Sequence, residues 1–297
     1  MDERLIELSE LDRGLKQQGY IADERTMQVL RYSLLLNKPV LIEGPAGAGK
    51  TELAKAWSRF LGRTLIRLQC YEGIDEAKAL YEWNYQKQLL YIQTQSADRK
   101  LWSAAGRNIY TEEFLLTRPL LQAIRQPNPA VLLIDEIDKS DEEFESFLLE
   151  ILSDWQVSIP ETGTVSAVTI PSVMITSNSA RDMSHALRRR CIYLYLDYPN
   201  AERELDIIRL YFPALNETLG RRIVAFVRKL RLEKLKKHPS ISEVLDWTAA
   251  LTCMEAETLT ADLALGTMNI LIKYHEDWQK ITSKIQDKGW FDGIHHS

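Results

Sequence analysis

Four short stretches of the chain carry side chains whose types and spacing suit phosphoryl chemistry. The first is Gly44-Pro45-Ala46-Gly47-Ala48-Gly49-Lys50-Thr51, which satisfies the pattern G-x-x-x-x-G-K-[ST] and runs into the helix former Glu52. Small residues let backbone N–H groups converge on phosphate oxygens, and a helix starting at the end of the loop adds its positive dipole end. In such a loop Lys50 bridges the β- and γ-phosphates of a nucleoside triphosphate, and the Thr51 hydroxyl ligates Mg²⁺. A bare glycine-rich turn is the competing reading. The apolar run Val40-Leu41-Ile42 before the loop and the helix formers after it argue against that reading.

The second stretch is Asp135-Glu136, at the end of the apolar run Ala130–Ile134. Acids at the C-terminal end of a parallel strand lie where open α/β sheets bind ligands. Asp135 suits the Mg²⁺ carboxylate, and Glu136 the group that orients and deprotonates an attacking water. Alone, the pair reads as a strand running into an acidic turn; beside a phosphate loop it reads as a site. The acids that follow, Asp138, Asp141, Glu142, Glu143 and Glu145, read as a solvated face at a helix N-terminus rather than a metal site. The third stretch ends the apolar run Val173–Ile175 with Thr176-Ser177-Asn178, where Asn178 is placed to bond the water or the γ-phosphate; a Ser-Asn turn is the alternative. The fourth is Arg188-Arg189-Arg190. Three adjacent guanidinium groups cannot all face one site, so one or two of them suit an arginine finger reaching a neighbouring subunit's phosphate, against the reading of a basic exposed turn.

These stretches need elements to hold them. Short apolar runs alternating with helical segments over residues 1–198 predict a parallel, three-layer α/β core. Two segments read as insertions: 71–110, with Tyr81, Trp83, Tyr85 and Trp102, and 155–170, a hairpin turning at Glu161-Thr162-Gly163-Thr164. For Trp83, packing in the insertion's own core is the favoured role over contact with a client. Residues 199–297 switch to helical periodicity: Leu205, Ile208 and Phe212 share a face, as do Ile223, Val227 and Leu230, which predicts a four-helix lid. Residues 221–238 hold eight Lys or Arg against the single acid Glu233, either a solvated helix face or a basic docking surface. Ser240 and Glu243 form a capping-box pattern.

Composition bounds the rest. With 45% hydrophobic and 27% charged residues the chain is an ordinary globular mix, and a net charge of −5 disfavours a general nucleic-acid coat. The three cysteines, Cys70, Cys191 and Cys253, are too few and too scattered for a disulfide framework or zinc cluster, and are expected as buried free thiols. The charged start Met1-Asp2-Glu3-Arg4 shows no signal peptide, no run is long enough to span a membrane, and His295-His296 is too short for a metal site. The expected location is cytoplasmic.

Taken together, phosphate loop, Asp-Glu strand, Asn strand, arginine turn and helical tail resemble an AAA+ ATPase. The chain is more closely similar to the MoxR-type branch, and within it to the CoxD-like ATPases encoded with carbon monoxide dehydrogenase and related molybdenum hydroxylases. Residues 65–90, with their Trp-Asn-Tyr segment, and 174–199, with the Arg-Arg-Arg-Cys turn, carry most of that likeness. The resemblance implies an αβα P-loop core with a C-terminal all-α lid, Mg²⁺-ATP as cofactor, and a homo-hexameric ring. It implies a chaperone-like action on a protein client, often a metalloenzyme, with a von Willebrand factor A-domain partner. By the same resemblance Gly44 to Thr51 match Walker A, Asp135 and Glu136 match Walker B, Asn178 matches sensor 1, and Arg190, with Arg189 close behind, matches the finger. One departure stands out: where such proteins often carry a sensor 2 arginine, this chain has Ser240-Ile241-Ser242-Glu243, which leaves Arg221 or Arg222 as substitutes or no lid arginine at all. Two alternatives compete: a nucleic-acid-linked AAA+ motor or clamp-loader-like ATPase, and a nucleotide-gated scaffold that hydrolyses poorly.

Overall fold

The computed structural model describes residues 6–95, 109–286 and 290–291. Met1 to Arg4, Trp102 and His295-His296 lie outside the described residues. Among the described residues nine strands follow in chain order: β1 (Val40–Glu43), β2 (Leu65–Gln69), β3 (Tyr81–Trp83), β4 (Leu115–Thr117), β5 (Val131–Asp135), β6 (Gln156–Ile159), β7 (Gly163–Ser166), β8 (Ser172–Ser177) and β9 (Ile192–Tyr195). The chain divides into two compact units. One holds residues up to Leu11, Glu24–Glu43 and Thr51–Tyr195; the other holds Asp12–Asp23, Gly44–Lys50 and the chain from Leu196 on.

The first unit is built on a five-stranded parallel sheet in the order β2-β5-β8-β1-β9. β1 and β5 are buried at every residue, which is why they read as unbroken apolar runs: helices cover both faces of such a sheet. The register pairs Gln69 with Asp135 and Glu43 with Ser177, so the polar ends of β2, β5, β1 and β8 align along one edge. Leu41, Leu132, Ile134, Val173 and Ile175 fill the core beneath that edge. Trp57, on the helix Lys50–Leu61, is fully buried, and its indole N–H donates to Ser172 Oγ at 3.2 Å.

The strand of the first expected insertion, 71–110, pairs with a strand beyond its end, and the second, 155–170, holds a small sheet of its own. In the first, β3 pairs antiparallel with β4, and Trp83 is 6% exposed, edge-on to Tyr81 and Tyr110 at 6.1 and 5.2 Å. Trp83 belongs to the main core of the first unit, in one cluster with Ile66, Leu120 and Leu132, rather than to a core of the insertion's own as expected, while Tyr85 is exposed. In the second, β6 pairs with β7 and buries Val157 and Ile159. Its turn lies earlier than Glu161–Thr164. Gly163 already opposes Ile159 in the ladder, and the Thr162 N–H donates to Ile159 O at 3.1 Å, so Pro160-Glu161-Thr162 make the loop. Gly163, at φ 89°, supplies the left-handed residue that joins this loop to β7.

The second unit packs the helices Ala201–Tyr211, Glu217–Leu232, Ile241–Cys253, Ala261–Thr267 and His275–Gln286 around Ile208, Phe226, Val227, Trp247 and Ile281. These are five α-helices among the described residues, not four, because a short 3-10 turn at Met268–Ile270 ends one helix before the next begins. Leu205 and Ile208 are buried on one face, and Phe212 caps that helix. The basic run is mostly spent within the unit. Arg231 pairs with the buried Glu204 at 2.9 Å, Lys236 with Glu276 at 2.9 Å and Lys237 with Glu243 at 2.7 Å, while Lys229 lies 4.6 Å from the Trp290 ring centre. The architecture is α/β: an αβα core on a parallel sheet, with an all-α C-terminal part. No helix among the described residues is long and apolar enough to cross a membrane.

Candidate nucleotide site

The phosphate loop leaves β1 at Gly44 and ends where the helix begins at Lys50. Lys50 is buried, and its ammonium donates to Gly44 O at 2.6 Å and Pro45 O at 2.8 Å, a curl of backbone around the cation. Two glycines are required by contact. A Cβ on Gly44 would lie 2.0 Å from Leu196 O, and one on Gly47, at φ 78°, would lie 2.1 Å from Ser240 Cβ. The Ile241 N–H donates to Gly47 O at 3.2 Å, and Tyr198 OH to Ala46 O at 3.0 Å. Ala48 is buried, Gly49 is in left-handed geometry at φ 95°, and Glu52 turns away to pair with Lys55 at 2.6 Å.

Ser240 and Glu243 make the expected capping box in full. The Ser240 N–H donates to Glu243 Oε2 at 2.8 Å, and Lys237 meets Oε1 at 2.7 Å. Burial works to raise the Glu243 carboxyl, but the Lys237 and Ser240 bonds outweigh it and hold it below its ordinary 4.5. Arg221 pairs with Glu217, and Arg222 bonds Thr258, so neither takes the place of a lid arginine at the loop.

In the first unit the acids at the end of β5 are held from two neighbouring strands, β2 and β8, and from the start of the helix Lys50–Leu61. Asp135 is 2% exposed. Its Oδ1 accepts from Thr176 Oγ1 at 2.5 Å, and Thr51 Oγ1 lies 3.2 and 3.3 Å from its two oxygens. Arg67, on β2, places Nε and Nη2 at 2.9 and 2.6 Å from Oδ2. A hydroxyl and a carboxylate side by side are the hard oxygen donors Mg²⁺ prefers, so Thr51 and Asp135 fit that ion.

Glu136 sits in left-handed backbone at φ 58° and ψ 51°, and its N–H donates to Thr176 Oγ1 at 2.9 Å. Three donors bracket its carboxylate: Gln69 Nε2 at 2.9 Å, Lys139 Nζ at 2.5 Å and Asn178 Nδ2 at 3.3 Å. The Asn178 amide and the Glu136 carboxylate are thus brought side by side. Contact with Glu136 raises the Lys139 pKa. Beneath the pair, burial and then Asp135 push the Cys70 thiol up to about 12. Cys191 is raised to about 12 by burial as well, whereas Cys253 is exposed, unlike the buried thiol expected of it.

The acids after β5 are not uniformly solvated. Asp138 is buried and accepts from the N–H groups of Asn178 and Ala180 at 3.2 and 3.1 Å. Glu145 is 1% exposed, accepts the Ser184 N–H at 2.9 Å and pairs with Arg181. Only Asp141, the N-cap that accepts the Phe144 N–H, and the exposed Glu142 and Glu143 behave as a helix N-terminal face. The arginine turn separates as well. Arg188 is committed to Glu43 at 2.7 Å, while Arg189 and Arg190 are exposed and have no ion pair among the described residues. Arg67, Gln69, Thr176 and Lys139 were not anticipated. Their one signal was polar residues two apart on β2, at Arg67 and Gln69.

The chain is 21% identical to the gas vesicle ATPase GvpN of Haloferax mediterranei, over 96% of this chain and 82% of that protein. It is 30% identical to the chaperone protein ClpB of Gloeobacter violaceus, over 49% of this chain and 15% of that protein. A point mutant of Thermotoga maritima RuvB shares the fold, with a TM-score of 0.51 at 19% identity over 87% of this chain and 73% of that one. A family model described as AAA domain (dynein-related subfamily) matches residues 39–191. That match spans more than half of the 297 residues, including four of the five strands of the parallel sheet, and the chain belongs to this subfamily of AAA domains and is an ATPase.

Proposed function

We propose that the protein is a MoxR-type, Mg²⁺-dependent ATPase that works as a homo-hexameric ring and remodels a protein client. The observation that carries the reading is the bracketed Glu136 carboxylate, with Asn178 at 3.3 Å, beside an Asp135 that shares its oxygens with Thr51. In this reading Gly44 to Thr51 receive the phosphates and Lys50 spans the outer two. Thr51 and Asp135 hold the metal, which when bound neutralises phosphate charge. Glu136 takes the proton of the attacking water that Asn178 orients. Glu52 only opens the helix. The helices after Asn200 act as a lid, and its capping box, rather than an arginine, abuts the phosphate loop.

Arg190, with Arg189 as its neighbour, is the finger offered to the next subunit. Their exposure and the lack of an ion pair to either among the described residues support this, because a finger must be unspent within its own chain. Relatives named as a gas vesicle ATPase and a chaperone support client remodelling. The finer assignment is a CoxD-like role in the cytoplasm with a von Willebrand factor A-domain partner, on a metalloenzyme such as a molybdenum hydroxylase; it rests on residues 65–90 and 174–199. The nucleic-acid-linked alternative is disfavoured because much of the basic run is already paired internally. Measuring specific activity against protein concentration tests the ring. ATP turnover per subunit should rise with assembly, and Arg190→Ala should lower it while leaving ATP affinity in place. Turnover independent of concentration in a persistent monomer, or stimulation by DNA or RNA, would contradict the proposal.

A further inference from the structure

Arg67 has no place in the roles above, yet it makes a close, two-pronged charged contact with Asp135. Its Nε and Nη2 lie 2.9 and 2.6 Å from Asp135 Oδ2, and Asp135 is 2% exposed while the Arg67 side chain is 49% exposed. Two N–H donors on one buried carboxylate oxygen compensate its charge where desolvation would otherwise be costly. The same guanidinium also donates to Gln69 Oε1, and Gln69 Nε2 donates to Glu136 Oε2 at 2.9 Å. Arg67 therefore has a second anchor beside Asp135, and that anchor touches Glu136.

We infer that Arg67 is a displaceable counter-ion for Asp135, a positioning residue that competes with the divalent cation and so sets the Mg²⁺ concentration the site requires. The inference rests on the Mg²⁺-ATPase reading of Thr51 and Asp135. A guanidinium and a divalent cation on one carboxylate repel each other. Arg67 must therefore leave Oδ2, in whole or part, as Mg²⁺ docks. Its half-exposed stem and its bond to Gln69 let it do so without becoming buried and unpaired. Through Gln69 the same movement alters one of the three donors that hold Glu136.

The test titrates Mg²⁺ into full-length protein with a fixed concentration of a fluorescent ATP analogue, and in parallel records thermal melting in EDTA. Arg67→Gln should melt lower than wild type in EDTA, and its Mg²⁺ midpoint should fall by about tenfold, the ratio expected for losing one near-surface charge repulsion. Arg67→Lys keeps the charge and should keep a midpoint near that of wild type. An Arg67→Gln midpoint equal to or above the wild-type value would overturn the inference alone. Nucleotide binding that ignores Mg²⁺ in the wild type would overturn it together with the metal reading beneath it.

Discussion

Glu136 occupies backbone that a non-glycine residue adopts at a cost of about 1–3 kcal/mol, at φ 58° and ψ 51°. What holds it there is Thr176, whose hydroxyl donates to Asp135 and accepts the Glu136 N–H. One side chain thus bonds both acids, and replacing it with Val removes the partner of the Glu136 N–H and one donor to the buried Asp135. Thr176→Val should cost about 1–3 kcal/mol in denaturant unfolding and lower turnover more than ATP affinity. Equal stability and turnover would show that Thr176 is dispensable. The thiols give a second check at this scale. Cys70 and Cys191, both pushed up to about 12, stay protonated at neutral pH, while Cys253 is exposed. A thiolate-selective alkylating agent should modify native protein at Cys253 alone, which mass spectrometry of the labelled peptides can show. The acids and Asn178 were legible because each ends an apolar run. Arg67, Gln69 and Thr176 were not, because a polar residue in a strand reads as ordinary solvent-facing alternation until the neighbouring strand is known.

At the scale of elements, the capping box does more than start a helix. Ser240 closes against Gly47, and the first turn donates to the Gly47 carbonyl, so the helix Ile241–Cys253 and the phosphate loop share a contact that only glycine permits. Gly47→Ala meets Ser240 Cβ and a left-handed φ together, and should lower the melting temperature and weaken ATP binding; an unchanged ATP affinity would deny that this contact shapes the loop. Glu243 makes the cap pH-sensitive. Because its carboxyl is held below 4.5 in the fold, its stabilisation is present above the unfolded value and is lost as pH falls through the depressed one. The Glu243→Gln variant should therefore be less stable than wild type at pH 7, by about 1 kcal/mol as for a lost cap. That gap should narrow as pH falls below 4.5 and close once it passes the depressed value of the folded carboxyl. The capping box was legible from Ser240 and Glu243 because it is a local pattern. Its neighbour Gly47 is nearly 200 residues away in sequence, and no local pattern marks that approach. Likewise Asp138 and Glu145 read as surface acids until the partners on the 178–184 segment come into place.

For the whole molecule, the parallel sheet and the helical C-terminal part follow from the change in hydrophobic period near residue 199. The helix count did not, because the chain between Thr267 and His275 lacks the strong Gly or Pro punctuation that marks a break. The net charge of −5 conceals a basic run of which Arg221, Arg231, Lys236 and Lys237 pair with acids of their own unit. Of the arginine turn, Arg188 is spent on Glu43, so Arg190→Ala and Arg189→Ala should separate the finger from its neighbour. The finger variant should lose about 10³-fold or more in turnover at unchanged ATP affinity, and wild-type rates from both variants would remove the role. The central claim is that Glu136 performs the hydrolytic step in a site that binds ATP without it. The direct measurement is ATP affinity and steady-state phosphate release for Glu136→Gln beside wild type. The account predicts wild-type affinity with turnover nearly abolished; undiminished phosphate release from the variant would contradict it.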